Sequence, residues 1–274
     1  MAALIFTKFF PLILILLGLL PSLLWLLFYL REDAHPEPKK IIVKIFLWGM
    51  CVAPLALLLQ YLALALLDGM GMRDAQRAVV GLLLLAAIEE YVKYLVVRVE
   101  IEDESAFDEP EDAVVYMIVA ALGFAAVENV LIAFSLSSPT VSQAGEALAA
   151  QTTGFLEASR VIGIRSIGAT LLHAFSSAIV GYFLALQITR SPAHFADPMQ
   201  WHIRHKKRLW IIMVGLILAS ALHALFNYLI LQSSGARGAV VLPASVGMIV
   251  VITFLLRRLR KAAGWNAAPA KEKF

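Results

Sequence analysis

Seven long apolar runs, separated by polar linkers, make up most of this chain. They are Phe9–Leu30, Ile41–Leu67, Ala75–Val97, Asp112–Phe134, Ile164–Ile188, Arg208–Leu231 and Ala239–Leu256. A helix crosses the hydrocarbon core with about 20 residues, and each run approaches or exceeds that length. None alternates apolar and polar positions as a barrel strand does. In lipid, only helices and closed barrels satisfy their own backbone. The pattern therefore predicts an all-α polytopic bundle of about seven transmembrane spans. Pro11, Pro21, Pro54 and Pro243 fall within or near spans, where neighbouring helices can satisfy a freed carbonyl.

Composition agrees with lipid as the main solvent. Apolar residues make up 61% of the 274 positions, against about 45–50% in a soluble domain, and the mean hydropathy is +0.81. One membrane-embedded domain, 1–274, accounts for the length. The Met1–Leu30 segment reads as a retained first span: its apolar run is too long for the core of a signal peptide, and no small-residue cleavage site follows. The single cysteine, Cys51, excludes a disulfide within the chain and a cysteine-based metal site.

Charge decides the orientation. With the amino terminus outside, sixteen Lys and Arg residues are cytoplasmic and six are outside, with Lys93 inside a span. The positive-inside rule favours that arrangement and a cytoplasmic carboxyl terminus. The net charge of +3 reports topology, and no nucleic-acid partner is implied. The linkers differ: Glu100–Asp112 is acidic, Ser135–Gly163 reads as a helix on the outer surface, and Arg190–Arg208 is basic, with His194, His202 and His205. The tail 257–274, opening with Arg257 and Arg258, reads as a basic cytoplasmic anchor to anionic lipid.

Several residues are in the wrong solvent. A charge at bilayer depth costs at least about 2.5–3.5 kcal/mol, so sequences that keep several generally use them. The third run carries Glu89, Glu90 and Lys93. Either glutamate is within helical reach of the lysine, and two carboxyls in unequal surroundings can serve as acid and base. A self-neutralising pair would not need the second glutamate. The fourth run carries Glu128 and Asn129, the fifth His173 and Ser177, and the sixth His223 and Asn227. Each taken alone could be hydrogen-bonding glue between helices.

At about 1.5 Å per residue, Glu89 lies roughly 21 Å and His173 roughly 14 Å from the outer ends of their spans. Glu128 and His223 lie roughly 22–24 Å from the cytoplasmic ends of theirs. All four can meet around one water-filled cavity. Such a set suits hydrolysis, with a glutamate as general base, Glu89 being preferred, and His and Asn donors stabilising an oxyanion. Alternatively, His173, His223 and Glu128 could hold a divalent metal such as zinc with an open water position. A serine mechanism is disfavoured, because no Asp in a span is placed to orient His173. Arg165 reads as an anchor at the membrane interface.

The four motifs in order, Glu89-Glu90-x-x-Lys93, Phe124-x-x-x-Glu128-Asn129, His173 and His223-x-x-x-Asn227, resemble those of the PrsW family of intramembrane proteases. That family is similar to the superfamily of CaaX prenyl endopeptidases and bacteriocin-processing enzymes. Glu109-Pro110-Glu111-Asp112, leading to Tyr116 and Gly123, also resembles the family's approach to its second motif. The resemblance covers about 81–229, read as the catalytic core. It implies a bacterial inner-membrane endopeptidase for membrane-tethered proteins, the family's known role being site-1 cleavage of an anti-sigma factor. It implies that Glu89 and Glu90 are catalytic with His173 and that His223 and Asn227 support the oxyanion, and it leaves a glutamate-activated water and a metal both open; on the chemistry of the residues themselves, Glu128 joins the catalytic set and Asn129 and Lys93 the supporting one. Two departures stand out: Glu128 replaces a frequent His of the wider superfamily, and Asn227 a frequent Asp. The alternatives are a proton-coupled transporter, which would show inverted repeats, and a membrane scaffold, which would tolerate neutralised carboxylates.

Overall fold

The computed structural model describes residues 2–32, 37–102, 110–137, 147–189, 209–232 and 237–262. Among these, eight helices form and no strand does: α1 (Ala2–Glu32), α2 (Lys39–Gly69), α3 (Asp74–Glu102), α4 (Asp112–Ser137), α5 (Ala147–Ile167), α6 (Ala169–Thr189), α7 (Leu209–Gln232) and α8 (Arg237–Ala262). Six segments are long and apolar enough to cross a membrane, with α5 and α6 counted together. The remaining helix, α3, carries Glu89, Glu90 and Lys93 and so falls outside that apolar class. Its 29 residues, about 44 Å at 1.5 Å each, are still ample for a crossing.

The centre of the bundle is α4. From Asp112 to Ala126 every residue is buried, as expected of a helix that is apolar all round. Helices α1, α2, α3, α5 and α6 pack around it, α7 packs on α3 and α6, and α8 packs mainly on α6. Between α2 and α4 the backbones nearly touch. Gly49 lies against the Ala120 carbonyl and Gly123 against the Phe46 carbonyl, and neither position has room for a Cβ. Small residues permit this approach in lipid, where dispersion and hydrogen bonds replace the hydrophobic drive. The outward faces carry large exposed apolar residues, such as Leu16, Tyr61, Leu66, Trp210 and Val246, as a lipid-facing surface should.

The fifth crossing departs from expectation. The region read as a surface helix contains α5, which is packed into the bundle. Its Ala158 and Ile162 join Phe10 and Leu14 of α1 and Ala133 of α4 in a small core. Helices α5 and α6 meet at Gly168, where the helical bonding still runs from Gly168 N–H to the Ile164 carbonyl at 3.0 Å. Side chains of other helices take the carbonyls beside this break: Trp25 Nε1 donates to Ser166 at 2.7 Å and Ser245 Oγ donates to Ile167. A break at membrane depth is tolerated when its freed groups are satisfied in this way. The expected span from Ile164 therefore straddles two helices. The histidines 194, 202 and 205, residues 103–109 and the tail beyond 262 lie outside the described residues.

Candidate active site

Four helices deliver the buried polar residues to one place. Glu89, Glu90 and Lys93 come from α3, Glu128 and Asn129 from α4, His173 from α6 and His223 from α7. Lys93 and Glu90 are completely buried, and Glu89, His173 and His223 nearly so. Glu128 and His223 both lie nine residues from the far ends of α4 and α7, about 14 Å at the helical rise. The cluster is thus well inside the bundle but displaced towards one face, the outer one on the orientation set by charge.

The two adjacent glutamates differ sharply. Glu90 is saturated. Its Oε1 accepts from Lys93 Nζ at 2.9 Å, Ser176 Oγ at 2.8 Å and His223 Nδ1 at 2.9 Å, and its Oε2 accepts from Ser177 Oγ at 2.9 Å. Glu89 is held on one side only. Gln60 of α2 donates to its Oε1 at 2.8 Å, while Oε2 is buried with no hydrogen-bond partner. The lysine that either glutamate could have claimed sits nearer Glu90, with Glu89 Oε2 at 3.8 Å. Ser177, which shares a face of α6 with His173, is thus engaged with Glu90.

The tautomers follow from the partners. A lysine ammonium has only donors, so His173 Nδ1, 2.8 Å from Lys93 Nζ, accepts. Its Nε2 then carries the proton and donates to Glu128 Oε2 at 2.8 Å. His223 donates through Nδ1 to Glu90, leaving the Nε2 lone pair inward. Glu89 Oε2 stands 3.7 Å from His173 Nδ1 and 3.6 Å from His223 Nε2. Three acceptors therefore face one another, and a cation or a water is what such a point attracts.

Glu89, His173 and His223 are also the group, among the described residues, able to present three ligand atoms within 4.8 Å of one another. Ligands 2.0–2.2 Å from a tetrahedral zinc are roughly 3.3–3.6 Å apart, close to the separations from Glu89 Oε2. Each imidazole has a carboxylate behind it, Glu90 or Glu128, an arrangement that orients and strengthens metal-binding histidines. The residues present thus fit a divalent ion. Glu128, expected as the third ligand, stands instead behind His173, on the far side of the ring from Glu89.

Two other expected residues are placed elsewhere. Asn129 donates to Thr170 Oγ1 at 3.0 Å and accepts from Arg165 Nε at 2.8 Å. Asn227 is half-buried, and no hydrogen bond joins it to the cluster among the described residues. Arg165 is no interface anchor: it pairs with Glu128 at 3.1 Å, and its side chain is only 22% exposed. Gln60 and Ser176 were not singled out in the sequence. A lone amide well inside the apolar run of α2 was the available sign of Gln60. Phe124 closes the floor, with Lys93 Nζ 4.6 Å from its ring centroid. A lipid-facing groove of 480 Å³ runs between α3 and α7, past Ala87, Ile88, Ser220 and Ala221, and none of the cluster residues line it.

The geometry can be set beside known proteins. The chain matches a family model described as PrsW family intramembrane metalloprotease over residues 37–256. It is 27% identical over 204 residues to a Geobacillus kaustophilus protein named Protease PrsW, covering 74% of this chain and 73% of that one. It is 23% identical over 241 residues to the Oceanobacillus iheyensis protein of the same name, covering 88% and 93%. A Clostridioides difficile protein, also named Protease PrsW, is 29% identical over 133 residues, covering 48% and 55%. No solved structure matches the chain.

Proposed function

The chain belongs to the PrsW family of intramembrane metalloproteases, and from that premise we propose that Glu89, His173 and His223 form the reacting centre for peptide-bond hydrolysis. As a family member it is a multi-pass protease of the bacterial inner membrane. The observation that carries the reading is the orphaned Oε2 of Glu89, facing the inward Nε2 of His223 at 3.6 Å and the Lys93-bonded Nδ1 of His173 at 3.7 Å. A divalent ion such as zinc, held by these three residues, would acidify a bound water and polarise the scissile carbonyl.

The chain's own residues do the rest. Glu90 fixes His223 and Glu128 fixes His173, each by the ring nitrogen that points away from the centre. Lys93, buried beside both glutamates and His173, is the cation available as negative charge develops on the carbonyl oxygen. Fixed charge of this kind in a dry site is worth more than in water. Asn129 joins α4 to α6 through Thr170. The core comprises α3, α4, α6 and α7, whose motif residues all lie within 81–229. Its substrate is a membrane-tethered protein, an anti-sigma factor being the family's example.

One observation favours a second reading. Lys93 already bonds His173 Nδ1 at 2.8 Å, which engages the lone pair an ion would use. In that case Glu89 Oε2 takes a proton from water directly, as general base. Purified protein stripped by a chelator separates the two. Cleavage of a single-span substrate that is lost on stripping and restored by about one zinc per chain supports the ion. Cleavage that persists in ion-free protein supports the glutamate acting alone. Full cleavage by an E89Q variant would sink both.

A further inference from the structure

Arg165 lies outside the four motifs, yet it is bonded to the residue that holds His173. We propose that Arg165 is a positioning residue for proteolysis, aiming His173 through Glu128; this rests on His173 belonging to the reacting centre.

The case starts at the break between α5 and α6. Arg165 is three residues before Gly168, and His173 is five residues after it. Helices can change direction at such a glycine, so something must hold the first turn of α6 if His173 is to face the centre. The Glu128-Asn129 pair of α4 does so from both sides. Before the break, Arg165 donates through Nε to Asn129 Oδ1 at 2.8 Å and through Nη2 to Glu128 Oε2 at 3.1 Å. After it, Asn129 donates to Thr170 at 3.0 Å and Glu128 Oε2 accepts from His173 at 2.8 Å. Arg165 and His173 thus share one oxygen.

A guanidinium is planar, and its donors point in fixed directions. Bonded to two consecutive residues of α4, it leaves the Glu128 carboxylate little freedom to turn. Without it, the carboxylate keeps only its bond to His173, so Glu128 can turn and the ring is held by Lys93 alone. The neighbourhood suits this role: the Arg165 and Glu128 side chains are 22% and 20% exposed, whereas the His173 side chain is 3% exposed. The guanidinium is therefore a brace at the rim of the cluster, separated from Glu89 by the imidazole itself.

Steady-state cleavage of a single-span substrate in liposomes tests this with R165M, R165K and T170V, scaled to folded enzyme. Losses of about 10–100-fold are typical when the partner of a metal-binding histidine is disturbed. R165M should lower kcat by such a factor and leave KM within about twofold, and R165K, which keeps the charge but not the fork, should fall between R165M and the native enzyme. T170V removes only the bond to Asn129, so its kcat should stay within about threefold of native; losses here follow from Glu128, not from helix stitching. Native kcat in R165M overturns the proposal, as does a raised KM at native kcat, which would mean direct substrate contact. A T170V loss equal to that of R165M overturns it too, by assigning the effect to the helix break. If R165M does not fold, R165K decides: native kcat there overturns, and a several-fold loss at native KM supports. E89Q is measured alongside. Full cleavage by E89Q overturns the reacting centre and this inference together, whereas an inactive E89Q beside a native R165M overturns the brace alone.

Discussion

Glu90 accepts a hydrogen bond from His223 Nδ1 at 2.9 Å, and this bond turns the other nitrogen of the ring towards Glu89. Two glutamates adjacent in sequence are thereby given different tasks. Glu90 carries four hydrogen bonds and faces inward to hold; Glu89 keeps an oxygen free.

That difference predicts unlike variants. E89Q keeps a carbonyl oxygen for Gln60 and disturbs no other hydrogen bond, so cleavage should vanish while the thermal midpoint in detergent stays near native. E90Q removes the charge that faces buried Lys93. Breaking one partner of a buried pair costs about 3–5 kcal/mol, so E90Q should lose both activity and stability. Parallel unfolding and cleavage assays check this, and equal midpoints for the two variants would contradict it.

Gln60 fixes the free glutamate from outside the motif helices. Its amide spans the Leu85 carbonyl at 3.3 Å and Glu89 Oε1 at 2.8 Å. Q60L should lower kcat by about 10–100-fold, the usual range for a lost supporting bond. Q60E sets a second carboxylate against Glu89 and should be at least as damaging. Measured kcat values at saturating substrate provide the check, and native turnover in Q60L would remove Gln60 from the centre.

The contact between α2 and α4 should be intolerant of a single methyl. A Cβ at Gly49 or Gly123 meets a backbone carbonyl of the facing helix, so the helices must part. Overpacking of this kind costs about 1–3 kcal/mol. G49A and G123A should each lower the unfolding midpoint in detergent, while G247A, with open space around it, should not.

Trp25 offers a test of the α5–α6 break. W25F keeps an aromatic ring but deletes the indole N–H that donates to the Ser166 carbonyl. Leaving such a part-buried acceptor unsatisfied costs about 1–3 kcal/mol. The variant should be less stable, with faster amide exchange in 164–172 than in the rest of α5 and α6. Exchange unchanged there would show that the break needs no such support.

Much of this was legible in the order of residues. Lipid makes apolar runs obligatory, so the crossings were readable from their length, and it makes charges expensive, so Glu89, Glu90, Lys93 and Glu128 stood out against their own spans. His173 and His223 followed by the same reasoning. Both helical offsets from Lys93 were open, however, and the choice of Glu90 came from Ser176, Ser177 and His223, which three-dimensional packing brings from two other helices. The same packing put Glu128 behind His173 instead of beside Glu89, and moved Arg165 from the interface into the bundle. A periodic helix tells which residues share a face; it says nothing about which face of another helix will meet it. That is set by where backbones can touch, here at Gly49, Gly123 and Gly181, and it left one oxygen of Glu89 without a partner.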